Sequence, residues 1–146
     1  MRIATLIARN LLGLAFVVFG LNYFLHFLSS PPPEPLAGAF LGALVTGKVL
    51  AVAKVIEIAA GLALLTNRFV PLALALLAPI LVNINLFHIV FAPSGLGLTL
   101  GLVALELWLA WAYRSAFLPM LQPRVEPAVA NAAPAQGKLA VIDNWQ

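Results

Sequence analysis

The sequence predicts an all-α integral membrane protein, a four-helix bundle with a short interfacial or re-entrant helix between the first and second spans. Of its 146 residues, 63% are hydrophobic and only 9% are charged, whereas roughly a quarter of the residues in soluble domains are charged. A small water-soluble core cannot bury so many apolar side chains, so we expect lipid to solvate the remainder. The apolar residues also form long runs with short polar or proline-containing breaks.

Four of these runs approach the ~20 residues that a helix needs to cross a bilayer. The predicted spans cover residues 3–28, 47–66, 69–91 and 98–117. The first is too long for a signal peptide, and no small-residue cleavage pattern precedes Ser29, so we expect it to be retained. In the third span, Pro71 suits a first helical turn and Pro79 should kink the helix.

Between the first two spans, a proline-rich break leads into a shorter apolar run, residues 36–44. This run is too short to cross a bilayer, which is why we assign it as interfacial or re-entrant. Its Gly38-x-x-x-Gly42 spacing would allow close packing against another helix, and Gly97-x-x-x-Gly101 opens the fourth span.

Residues 1–121 are predicted to form one transmembrane domain. Residues 122–146 are rich in Ala, Pro, Gln and Asn, and are predicted to be a disordered tail. The chain has no cysteine. A redox role would therefore need a bound cofactor or a partner protein rather than a thiol of the chain itself.

The positive charges predict the orientation of the bundle, because cytoplasmic loops are enriched in Lys and Arg. With a cytoplasmic N-terminus, the opposite loops hold only Lys48. The cytoplasmic side then holds Arg2, Arg9, Arg68, Arg114, Arg124 and Lys138. We expect both termini to be cytoplasmic and no nucleic-acid binding. Trp108, Trp111 and Tyr113 then lie in the inner half of the fourth span, with Trp111 and Tyr113 at the depth of an aromatic belt.

Polar side chains inside the spans are the candidate site, since an ionisable group at mid-bilayer costs about 2.5–3.5 kcal/mol. The set comprises Asn22, His26, Lys54, Glu57, Asn83, Asn85, His88 and Glu106. At 1.5 Å per residue, most of them reach the outer half of the bundle, and Glu57 and Glu106 lie near its midplane.

Residues three or four apart share a helix face, which pairs Lys54 with Glu57, Asn85 with His88, and Asn22 with His26. Asn83 points away from Asn85, and we expect it to form an interhelical hydrogen bond. The formal charges of Lys54, Glu57 and Glu106 sum to −1. A protonated carboxyl, a cationic histidine or a bound cation would restore neutrality.

Several interpretations of this cluster are open. It could be polar glue that holds the helices together. It could bind metal through His26, His88, Glu57 and Glu106, although the Glu-x-x-His spacing of carboxylate-bridged bundles is missing and we assign no metal. Haem between His26 and His88 is a further alternative, and a quinone pocket is the most specific one.

One run of residues resembles a known family. Gly47-Lys48-x5-Lys54-x-x-Glu57-Ile58-x-x-Gly61, followed by Leu77-Ala78-Pro79 and Asn83-x-Asn85-Leu86-Phe87-His88, is similar to the DoxX-like family of small bacterial membrane proteins. The resemblance spans about residues 5–115 and implies a four-helix bundle in the bacterial inner membrane. Some members are named after a subunit of a thiosulfate:quinone oxidoreductase, and others are linked to quinone or oxidative stress.

The resulting hypothesis is an auxiliary inner-membrane subunit of a quinone-linked redox system with a partner redox protein. Lys54 and His88 would donate hydrogen bonds to a quinone carbonyl, and Glu57 or Glu106 would carry protons. Asn85, His26 and Asn22 would complete the ligand-binding set. The alternative is a non-enzymatic membrane scaffold or small-solute carrier whose buried polar residues only hold the helices together.

Overall fold

A computed structural model describes residues 2–29 and 32–124, so most of the predicted tail, from residue 125 onward, lies outside the described residues. The described part is all-helical and has no strand, which confirms the predicted class. The helices are α1 (Arg2–Leu25), α2 (Pro35–Thr46), α3 (Val49–Leu65), α4 (Val70–Phe91), α5 (Leu96–Ala112) and α6 (Arg114–Phe117). Short 3-10 turns occupy Pro93–Gly95 and Leu118–Leu121.

Three helical segments in the described ranges are long and apolar enough to cross a membrane: α1, α4, and α5 with the turn before it. The short apolar helix predicted at residues 36–44 is present as α2. Helix α3, in the predicted second span, has 17 residues and contains both Lys54 and Glu57. The described helices are therefore compatible with a helical membrane bundle that has at least three spans.

Left-handed backbone conformations mark several helix boundaries. His26 has φ 52° and ends α1 at Leu25, three residues before the predicted end of the first span. Lys48, with φ 61°, separates α2 from α3. Asn67 and Phe69 adopt the same conformation in the turn between α3 and α4. A left-handed residue cannot continue a right-handed helix, so the helices are interrupted at these points.

The four longer helices pack in a ring in which α1 contacts α3, α3 contacts α4, α4 contacts α5, and α5 contacts α1. Large apolar side chains fill the centre and are almost inaccessible. They are Leu12, Phe16, Leu64, Leu74, Leu77 and Leu109. Helix α2 lies outside the ring, where Phe40 stacks on Phe87 and Phe91 of α4 at 6.1 and 5.5 Å.

The closest backbone approach is between α1 and α3. A Cβ atom added to Gly61 would lie 2.8 Å from the Gly13 carbonyl oxygen, and one added to Gly13 would lie 2.9 Å from the Gly61 carbonyl oxygen. Only glycine at both positions lets the two helices come this close.

Among the described residues, the Gly38-x-x-x-Gly42 motif packs against no other helix. There, a Cβ on Gly42 would meet no atom within 4 Å, and one on Gly38 would meet only Pro33 at 3.6 Å. Gly97 and Gly101 are equally open in the described part of the chain. The expectation for Gly38 and Gly42 is therefore wrong for the described helices, where the glycines in close contact with another helix are Gly13, Gly20 and Gly61.

Candidate functional site

Lys54 and Glu57 share one face of α3 and form a closed ion pair. The Lys54 ammonium donates to both carboxylate oxygens of Glu57, at 2.9 and 2.8 Å. The side chain of Glu57 is 2% exposed and that of Lys54 is 17% exposed. The pair therefore neutralises itself within one helix, and Glu57 occupies two of the three N–H donors of Lys54.

Asn85 and Thr99 connect α4 to α5. The Thr99 hydroxyl donates to Asn85 Oδ1 at 3.0 Å, and Asn85 Nδ2 donates to the Leu81 carbonyl at 2.8 Å. Both residues are buried. Thr99 was not among the sequence candidates, although it precedes Glu106 by seven residues and so shares its helix face.

Asn83 and His88 bond to their own helix. Asn83 Nδ2 donates to the Pro79 carbonyl at 2.9 Å, so the predicted interhelical bond of Asn83 is wrong. His88 Nδ1 lies 2.8 Å from the Ile84 carbonyl oxygen, which can only accept, so Nδ1 carries the hydrogen. The His88 ring packs directly under Gly95, where any Cβ would collide with it.

Asn22 and His26 do not form a helix face, because α1 ends between them at Leu25. Asn22 Oδ1 accepts a hydrogen bond from the Leu28 backbone N–H at 2.6 Å. His26 is exposed in the segment that follows. The placement of His26 within the first span is wrong, and the Asn22 side chain caps the chain reversal instead.

Glu106 is the unusual member of the set. It is 7% exposed, and no hydrogen bond or ion pair within the described residues reaches its carboxyl group. It lines a groove of about 480 Å³ between α4 and α5, together with Asn85. The remaining lining is apolar and includes Ala78, Val82, Leu86, Val103 and Leu107. Because Val82, Leu86 and Leu107 are exposed, the groove opens on the outside of the bundle.

The predicted excess negative charge is thus localised. Lys54 balances Glu57, and Glu106 has no cation within 4 Å among the described residues. A carboxyl group in an apolar groove is costly unless it gains a proton, a cation or a hydrogen-bonding ligand. Of the sequence candidates, the structure brings only Asn85 and Glu106 into this groove.

The candidate ligands of the metal and haem alternatives do not form a common site within the described part of the chain. The described residues contain no group of three or more His, Asp or Glu side chains placed to hold one metal ion. His26 and His88 line neither the α4–α5 groove nor the larger pocket at the end of the bundle. His26 lies in the exposed loop after α1, while the ring of His88 is covered by Gly95.

Comparison of the chain with protein family models, with curated proteins and with solved structures gave no match.

Proposed function

We propose that the protein is a membrane-embedded, quinone-binding auxiliary subunit of a redox system, with its site in the groove between α4 and α5. The observation that supports this is Glu106, a residue more than nine-tenths buried whose carboxyl group lies in an apolar groove and has no partner among the described residues. A quinone headgroup has two carbonyl oxygens and an apolar tail. The carboxylic acid would donate to a carbonyl, and the apolar walls would hold the tail.

In this proposal, Asn85 of α4 is the second polar residue that lines the groove, in addition to Glu106. Its Oδ1 is held by Thr99 and its Nδ2 by the Leu81 carbonyl, so its orientation is fixed. Pro79 lies six residues before Asn85 in α4 and has no N–H, which leaves the carbonyl of groove-lining Ala75 without its usual helical donor. Reduction to the quinol would take two electrons from a partner redox protein and two protons, one of which Glu106 would pass to the carbonyl oxygen.

The proposal includes the placement that the sequence suggested: a DoxX-like chain in the bacterial inner membrane, with four spans and both termini cytoplasmic. The clustering of Arg2, Arg9 and Arg114 at one end of the bundle supports this orientation. Reporter fusions after Gln122 and in the loop before α2 should report cytoplasm and periplasm, respectively. A periplasmic reporter after Gln122 would contradict the topology.

The quinone site is tested by blocking the groove. Ala78 lines it and Ala104 does not, although both are exposed on neighbouring helices. Wild-type protein extracted gently should carry quinone detectable by mass spectrometry, and decylubiquinone should raise its melting temperature. Ala78→Phe and Glu106→Leu should lose both effects, whereas Ala104→Phe should keep them.

A scaffold without a ligand is the second candidate, and the self-contained polar groups favour it. Lys54 bonds Glu57 within α3, and Asn83 and His88 bond carbonyls of their own helix. Wild-type protein that holds no quinone and does not respond to decylubiquinone would establish the scaffold as the better description.

A further inference from the structure

A second cavity, of about 640 Å³, lies at the end of the bundle where α1 begins and α5 ends. Three elements form it: the first turns of α1, the turn between α3 and α4, and the last turn of α5 with the residues after it. Its polar and aromatic lining includes Arg2, Arg9, Asn67, Trp111, Tyr113 and Arg114. This cavity is separate from the α4–α5 groove, with which it shares no lining residue.

The cavity concentrates positive charge, and no acidic side chain of the described residues lines it. Three arginines are in its lining, whereas the described acidic residues, Glu34, Glu57 and Glu106, are not. Like charges repel when they share a pocket, so an arrangement of this kind favours a bound anion.

Arg9 adds an observation that points to a ligand. Its Nε is buried and has no hydrogen-bond partner within the described residues. A buried donor without an acceptor costs free energy, which a turn of the guanidinium toward an acceptor bound in the cavity would recover. Arginine presents its donors in a planar fork that matches the oxygens of a phosphate group.

Arg114 is held in position by Trp111. Its guanidinium carbon lies 5.1 Å from the centre of the Trp111 ring, and its Nη1 donates to the Trp111 carbonyl at 3.1 Å. Both Trp108 and Trp111 are partly exposed beside the cavity. Tryptophan favours the level of lipid headgroups, which places this end of the bundle at the membrane surface.

We infer that this cavity binds a phosphate group, and that its source is the headgroup of an anionic phospholipid in the membrane leaflet at that end. Arg9 and Arg2 on α1 and Arg114 after α5 would share the phosphate oxygens, and the indole rings would border the glycerol backbone. Basic pockets between transmembrane helices recognise lipid headgroups by this chemistry. The inference does not depend on quinone binding.

The chain offers a matched control. Arg68 lies in the turn between α3 and α4, next to Asn67, and is exposed, but it does not line the cavity. Full-length wild type, Arg9→Gln, Arg114→Gln, Arg9→Lys and Arg68→Gln would be placed in vesicles of phosphatidylcholine alone or with phosphatidylglycerol, then analysed by native mass spectrometry. Circular dichroism would establish that each variant is folded.

Wild type and Arg68→Gln should retain phosphatidylglycerol in preference to phosphatidylcholine. Arg9→Gln and Arg114→Gln should each lose about tenfold in retention, as expected for one charge-assisted hydrogen bond. Arg9→Lys keeps the charge but not the fork, and should lose less. Glu106→Leu should retain phosphatidylglycerol even if it no longer binds quinone.

A separate arm adds inorganic phosphate at millimolar concentration. If phosphate displaces retained phosphatidylglycerol, the lipid headgroup occupies the phosphate site as inferred. If wild type shows no lipid preference but phosphate raises its melting temperature in an Arg9-dependent way, the phosphate site stands and its source is soluble, which overturns the lipid part of the inference. Equal retention of both lipids by wild type together with no Arg9-dependent response to phosphate, or an equal loss in Arg68→Gln and Arg9→Gln, would overturn the inference.

Discussion

Each side of the bundle contains one buried carboxyl group, and the surroundings of that group differ between the α1–α3 side and the α4–α5 side. On the α1–α3 side, the backbones touch at Gly13 and Gly61, and the carboxylate of Glu57 is paired with Lys54 on the same helix. On the α4–α5 side, a groove separates parts of the two helices and Glu106 has no described partner. Two buried carboxyl groups of one chain thus have different surroundings: Glu57 is paired with Lys54, and Glu106 has no partner among the described residues.

This contrast has a physical basis. Breaking a pair of buried charges is costly, so Lys54 and Glu57 must remain together once α3 has formed. A lone carboxyl persists only if some other interaction compensates for its desolvation. Glu106 has no such interaction within the described residues, so a proton, a cation or a hydrogen-bonding ligand would stabilise it.

The largest expected effect comes from breaking the pair on α3. Lys54→Met should lower the free energy of unfolding in mixed micelles by about 1–4 kcal/mol, because Glu57 loses its only described counter-charge. The double variant Lys54→Met, Glu57→Gln should recover much of that loss. Strictly additive losses would show that the two side chains are not coupled and would remove the contrast.

A smaller effect is expected at the glycine contact. Gly61→Ala should destabilise the bundle by about 1–3 kcal/mol, because the new Cβ would lie 2.8 Å from the Gly13 carbonyl and α1 would have to move away. Gly101→Ala is the matched control, since its Cβ would meet no described atom within 4 Å. The control should be neutral or stabilising by about 0.5–1 kcal/mol. Equal responses in the two variants would show that the α1–α3 contact is not unusually tight.

The smallest effect is expected at Glu106. Glu106→Gln removes no described hydrogen bond or ion pair, so the free energy of unfolding should change by less than about 0.5 kcal/mol. Glu57→Gln, the same chemical change, should be clearly more destabilising because it leaves Lys54 unpaired. If unfolding in mixed micelles shows Glu106→Gln to be as costly as Glu57→Gln, then Glu106 is also structural.

The helical class, the short helix α2 and the shared face of Lys54 and Glu57 follow from the sequence, because hydrophobic runs and helical spacing are local properties. The end of α1 does not, since it depends on a left-handed His26 and on capping by Asn22. The glycine motifs were misleading for a similar reason: spacing within a helix does not identify which face meets a neighbour. Gly61 of α3 meets Gly13 of α1, a match that only the packing of two distant segments creates.

The candidate site was predictable in part. Intramembrane polarity identified Asn85 and Glu106, but it also selected Asn22, His26, Asn83 and His88, which bond locally or lie outside the helices. The sequence gives residue types and faces, whereas the partner of each side chain depends on rotamers and on helix rotation. The unpartnered Nε of Arg9 could not be predicted either. Counting Lys and Arg near the helix ends records the charge of Arg9 but not its burial.

The length of α3 has a consequence for the surrounding membrane. Its 17 residues extend about 26 Å at 1.5 Å per residue, against about 30 Å of hydrocarbon in a typical bilayer. If α3 crosses beside α1, α4 and α5, acyl chains on its flank must compress by a few ångströms, or Lys48 must extend its ammonium toward the headgroups. The protein would then create a thinned patch of bilayer on one side only, where short-chain or disordered lipids would gather.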